Sequence, residues 1–107
     1  MARSSGFESG DLPDSALHIA LALTRPRHGY AVMQFLADQS DGNVTIGPAS
    51  LYTTLKKLVA AGLIDELDGD DSRRVYQLND VGREVLARNI ERRRQLLAMA
   101  DRIMEEA

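Results

Sequence analysis

Apolar positions in the first third of the chain recur at helical spacing. Ala16, Leu17, Ala20, Leu21 and Leu23 supply one apolar face; Pro13 and Asp14 open that helix and Pro26 closes it. A second helix is predicted from about Gly29 to Gln39, with Tyr30, Met33, Phe35, Leu36 and Ala37 as its apolar residues, and the turn sequence SDGN at 40–43 ends it. Val44, Thr45 and Ile46 predict a very short extended segment. Gly47 and Pro48 then start a third helix, with proline at the first helical position, where no amide donor is needed. That helix should reach Ala61 and stop at Gly62. Leu51, Leu55, Leu58 and Val59 follow the i, i+4, i+7, i+8 pattern of a buried stripe. Ala49, Ser50, Thr53, Lys56, Lys57 and Ala60 fall on the opposite side, which is small, polar and basic.

Two short extended runs follow, Leu63 to Leu67 and Arg73 to Leu78, separated by DGDDS; they read as a hairpin with a polar tip. Asn79 caps a last helix from Asp80 to about Glu105. On it Leu86, Ile90, Leu97, Ala100 and Met104 form a heptad-like seam, with Arg93 in the one gap, and Leu96, Met99 and Ile103 widen the stripe. A domain whose core is already served by three helices cannot bury all of that surface internally. A homodimer is the economical solution, the alternative being that the last helix folds back over the first. The chain thus divides into a loose arm at 1–11, a helical domain with a small hairpin at 12–78, and a terminal helix at 79–107.

Composition narrows this reading. At 107 residues, 44% hydrophobic and 27% charged, the chain builds one core. No segment approaches the roughly 20 apolar residues of a membrane span, and the first residues hold no secretory apolar run, which points to the cytoplasm. Without Cys there is no disulfide, thiolate metal site or thiol nucleophile. With two His besides, neither a metal nor a cofactor is expected, and His28 is assigned a structural role. No phosphate loop and no readable catalytic set of Ser, His and carboxylate is present, which argues against an enzyme. The net charge of −3 excludes coating of nucleic acid by bulk attraction, but the charges are segregated. Asp65, Glu66, Asp68, Asp70 and Asp71 crowd the hairpin, Arg73 and Arg74 follow them, and the only lysines, Lys56 and Lys57, share the third helix.

Helix, helix, tiny strand, helix and hairpin make the order of a winged helix-turn-helix. Particular residues sharpen it: HGY at 28–30, IGPASLYTTLKKLVAAGLI at 46–64, RRVYQLNDVG at 73–82, and the long last helix. From Leu12 to the C-terminus the chain resembles the PadR family of transcriptional regulators. The resemblance implies a mainly α fold with a small β-wing, a winged helix-turn-helix plus a long C-terminal dimerisation helix, and double-stranded DNA as the partner. PadR-like proteins pair two winged domains on a near-palindromic operator, so a homodimeric, ligand-responsive repressor is expected.

On that reading Ser50, Thr53, Thr54 and Lys57 reach base edges and phosphates, with Lys56 beside them. Tyr52 either contacts a phosphate or packs into the domain with its polar tip exposed. Arg73 and Arg74 reach phosphate from the wing; the carboxylates before them either hold the arginines in place or make the wing stand off from the duplex. Leu86, Ile90, Leu96, Leu97, Ala100, Ile103 and Met104 form the dimer contact. Some PadR-like regulators bind planar effectors among aromatic residues of the terminal helices, but this terminal helix has none and offers Arg92, Arg93 and Arg94 instead. An Arg93 pointing into the dimer would hold an anionic small-molecule effector or pair with Glu91 or Asp101 of the other subunit. The rival reading is a winged helix used for protein contacts, which the acidic hairpin favours.

Overall fold

The structure, a computed structural model, describes Phe7 and residues 10–67 and 74–106. Its elements in order are α1 (Asp14–Ala22), β1 (Arg27–His28), α2 (Gly29–Gln39), α3 (Pro48–Ala60), β2 (Ile64–Leu67), β3 (Val75–Leu78) and α4 (Asp80–Glu106).

Helix α1 is the hub, in contact with α2, α3 and α4. Its alanines at 16, 20 and 22 are buried, as are Leu17 and Ile19, and side chains this small let three helices approach one axis. Asp14 lies in its first turn, where a carboxylate complements the helix dipole. Leu51, Leu55 and Leu58 of α3 are sealed in the core, each worth about 1.5–3 kcal/mol of apolar burial. They fix α3 across α1 and α2. Val59, placed on the same stripe by its spacing, is instead 40% exposed on the flank of α3. Tyr30 departs from expectation in the same way and projects from α2 into solvent.

Both ends of α3 are set by residue type. Gly47 takes an extended conformation and accepts the Leu51 amide at 3.0 Å, and Pro48 follows in the first turn. At the other end Gly62 has φ +76°, its N–H donates to the Val59 carbonyl and that of Leu63 to Leu58, both at 3.0 Å. This paired closure turns the chain sharply into β2.

The three strands form one antiparallel sheet in the order β1-β3-β2. The third strand is not the expected one. Residues 44–46 are irregular, with Val44 and Ile46 packed against the core, while Arg27 and His28 pair with Tyr76 and Val75. The Leu78 amide also donates to the Leu23 carbonyl at 2.8 Å, tying the sheet to the end of α1.

Asn79 caps α4 as expected, accepting the Gly82 amide at 2.8 Å, and its own amide group donates to Gly62 and Asp65. Gly82, Val85, Leu86 and Asn89 of α4 are buried, and from Glu91 onward the helix is largely exposed. The described part of the amino-terminal segment is not loose. Phe7 and Leu12 belong to the core. The Asn89 side chain, 1% exposed, accepts the Leu12 amide and donates to the Gly10 carbonyl at 2.7 Å. Among the described residues no helix is long and apolar enough to cross a membrane.

Candidate nucleic-acid interface

Because Leu51, Leu55 and Leu58 hold α3 from one side, its other side is presented outward on a rigid base. Ser50, Thr53, Lys56 and Lys57 are all exposed there. The two lysines make no ion pair among the described residues, whose pairs are Arg74–Glu66, Arg92–Asp11, Arg93–Asp14 and Arg94–Glu91. Thr54 is a correction: it lies three residues after Leu51, is only 9% exposed, and is turned in from the face expected for it. Its remaining edge still borders, with Ser50 and Thr53, a shallow hollow of about 290 Å³ that Ser15 of α1 also lines. Nothing in the α1 sequence pattern connects its first turn to α3, so the sequence does not announce Ser15.

Tyr52 is half-exposed and lies against Gly29, where a Cβ would stand 2.9 Å from its Cε1 atom. Gly29 therefore lets the start of α2 and the flank of α3 close on one another. Beyond this contact a larger hollow, about 790 Å³, opens between α2, α3 and the sheet. Tyr30, Tyr52 and Tyr76 enter its wall from α2, α3 and β3, with Lys56 and Val59 from α3 and Arg74 from the wing. Burial raises the Tyr76 phenol above the usual tyrosine range, and the neighbouring Glu66 charge adds to the effect. The three tyrosines are far apart in sequence, so no local pattern announces their convergence.

On the wing, Arg74 pairs with Glu66 across the hairpin at 3.2 Å. The acidic strand thus does hold one of the arginines, though a pair this exposed contributes about 0–1 kcal/mol. Arg73 and the hairpin tip lie outside the described residues.

On α4 the expected seam divides in two. Leu86 is buried in the domain's own core and Ile90 packs partly against it, so Leu86 is not available to a partner. Leu96, Leu97, Met99, Ile103 and Met104 are 44–74% exposed, and Ala100 lies between them, half-buried. Arg93 does not point along this apolar face toward Glu91 or Asp101. Its guanidinium donates to the Asp14 carboxylate at 2.8 Å and to the Leu12 carbonyl at 3.0 Å, clasping α4 to the start of α1.

The chain matches the model of the transcriptional regulator PadR-like family over residues 17–88. Among curated proteins no sequence match is found. Among solved structures it is similar to a PadR family transcriptional regulator from Eggerthella lenta, with 26% identity, 95% of this chain and 88% of that one covered, and a TM-score of 0.70. A PadR-like transcription factor from Bacteroides fragilis is 19% identical, with 84% and 89% covered and a TM-score of 0.72. RosR of H. salinarum is 22% identical, with 89% and 96% covered and a TM-score of 0.66. The latter two show the shared fold.

Proposed function

The chain belongs to the PadR-like family of transcriptional regulators, DNA-binding proteins that are not enzymes, and from there we propose that it acts as a homodimeric repressor on an inverted-repeat operator. The observation that carries the reading is the outer side of α3: exposed Ser50, Thr53 and Lys57, with no ion pair on the lysine among the described residues, mounted on a helix whose inner side is locked in the core. Hydroxyls at the leading half of such a helix read base edges in a major groove, and the ammonium of Lys57 holds a phosphate. Ser15 extends the polar surface from α1. Arg74 serves the wing side, its charge partly spent on Glu66.

The dimer supplies the second half-site. A stripe of Leu96, Leu97, Ile103 and Met104 in solvent is supported as a protein contact by its size and continuity, and two copies joined along it bury it. The two α3 helices then enter successive major grooves roughly 34 Å apart. The test is titration of the purified protein with the duplex upstream of its own gene, at several salt concentrations, beside a scrambled duplex. Tight binding to the first alone, falling steeply with salt, is expected. Binding to neither duplex at low salt would leave the wing and α3 as a surface for a protein partner.

A further inference from the structure

We propose that Asn89, Arg92 and Arg93 are positioning residues: by clasping the segment 10–14 they set the angle at which α4 leaves the domain, and that angle fixes the spacing accepted between two half-sites. The second half rests on the dimer and the reading of α3 just given; the first half does not.

The clasp stands where α4 parts from its domain. Gly82, Val85, Leu86 and Asn89 are buried, and the helix is largely exposed from Glu91 onward. At that boundary three side chains reach back to one stretch of the amino-terminal segment. Asn89 accepts the Leu12 amide at 2.9 Å and donates to the Gly10 carbonyl at 2.7 Å. Arg92 pairs with Asp11 at 2.8 Å and donates to the same Gly10 carbonyl at 3.1 Å. Arg93 donates to the Leu12 carbonyl at 3.0 Å and to Asp14 at 2.8 Å. The segment is a firm stop, because Leu12 is itself part of the core and Asp14 begins α1. Positions 89, 92 and 93 spread over about 100° of the helix circumference, so the grips oppose tilting in more than one direction.

Asn89 shows that this junction selects geometry before strength. It stands four residues after Val85 and three after Leu86, in the buried stripe, where leucine would remove more apolar surface from water. Beyond a bond to the Val85 carbonyl of its own helix, its amide group matches only Gly10 and Leu12. A slipped or tilted α4 would leave those groups unpaired inside the protein, the means by which a buried asparagine specifies register. The clasp also ends beside the proposed DNA surface: Asp14 precedes Ser15, which borders the hollow shared with Ser50 and Thr53. Length converts angle into spacing. From Asn89 to Met104 the helix rises about 22 Å, so a tilt of about 10° at the clasp moves its far end by about 4 Å. One base pair rises about 3.4 Å.

The chain has no cysteine, so cysteines introduced at exposed Gln39 and Arg102 carry the only nitroxide labels. Pulsed electron spin resonance on labelled chains diluted in unlabelled protein reads the distance between the end of α2 and the far part of α4 within one chain. A single narrow distribution is expected for the parent. Asn89→Leu should move or widen it by about 4 Å, the displacement of a 10° tilt. Should that variant fail to fold, Arg92→Met combined with Arg93→Met opens the clasp from its solvent side and should act alike. Distributions unchanged in the folded variants would overturn the clasp.

The second half is read by anisotropy with the duplex upstream of the protein's own gene, and with copies one base pair longer or shorter at its centre. The parent should bind each altered copy about tenfold more weakly, whereas the clasp variants should bind all three within about threefold of one another. Their affinity for a duplex holding one half of the site should equal the parent's, since α3 is untouched. A parent indifferent to spacing, or variants that keep its preference, would overturn the control of spacing. A protein that binds no duplex, or sediments as a monomer, refutes the proposed function and the control of spacing with it, and the label distances then decide the clasp by themselves.

Discussion

Gly82 lies directly against the backbone carbonyl of Leu63. A Cβ at position 82 would run into that oxygen and stand 2.7 Å from Cδ1 of Leu78. The carbonyl has no room to yield, because it accepts the Asn79 amide at 3.1 Å where the end of α3, the end of β3 and the first turn of α4 meet. The expected outcome for Gly82→Ala is a loss of about 2–4 kcal/mol, read as a lower urea midpoint with an unchanged slope. A variant as stable as the parent would mean that this junction is softer than its hydrogen bonds indicate.

Gly29→Ala predicts the opposite balance from a contact that looks alike. The new Cβ would meet Tyr52 at 2.9 Å, but what it meets is the outer part of a half-exposed ring that can rotate away. Stability should therefore change by less than about 1 kcal/mol, since alanine is also the better helix former. Displacing the ring should alter the tyrosine spectrum and lower affinity for DNA. Thermal melts beside duplex titrations separate the two effects, and a large loss of stability with unaltered DNA affinity would count against it.

The elements that the sequence announced are those whose ends are written in residue type. Pro48 and Gly62 bracket α3 and Asn79 caps α4, each by a requirement local to the helix end: a fixed φ, a positive φ and a side-chain acceptor. What it concealed depends on partners distant along the chain. A two-residue strand at Arg27 and His28 has no period; it exists because β3 offers it a free edge, whereas the β-branched run at 44–46 finds no such edge. The heptad pattern marks Leu86 and Leu97 alike. Apolar spacing does not distinguish a domain's own core from a partner's, and the structure places the first inside and the second in solvent. Arg93 falls in the gap of that seam, yet its partners lie 79 and 81 residues away, at Asp14 and Leu12.

The Arg93 clasp gives a pH dependence of definite sign. The hydrogen bond from Arg93, and then its charge, hold the Asp14 carboxyl below the usual aspartate range. A depressed carboxylate contributes stability that is fully present above its unfolded value and is lost as pH falls through the folded one. The difference in melting temperature between the parent and Asp14→Asn should therefore be constant above about pH 5 and shrink toward zero in acid. A difference that grew on acidification would contradict the clasp.

Leu97→Glu tests the terminal helix. Leu97 is 63% exposed, so a carboxylate there should leave the domain folded. In a dimer it would place two like charges in an apolar seam and disfavour association. Sedimentation should report a monomer, and affinity for a two-site operator should fall about a hundredfold as the benefit of paired binding disappears. A folded dimer of unchanged affinity would move the subunit contact elsewhere on the chain.

Lys57→Ala separates phosphate binding from base reading on α3. The side chain is exposed and makes no ion pair among the described residues, so its removal should cost the fold little. If the ammonium neutralises one phosphate, binding should weaken on every duplex by a similar factor, and the slope of log affinity against log salt should become shallower by about one. Thr53→Ala provides the contrast: a hydroxyl that reads a base edge should, when lost, weaken the operator more than a scrambled duplex and leave the salt slope alone. Titrations of both variants at several salt concentrations distinguish the two roles. An unchanged salt slope for Lys57→Ala would remove the lysine from the phosphate contact and shift the electrostatic part of binding to Lys56 and the wing.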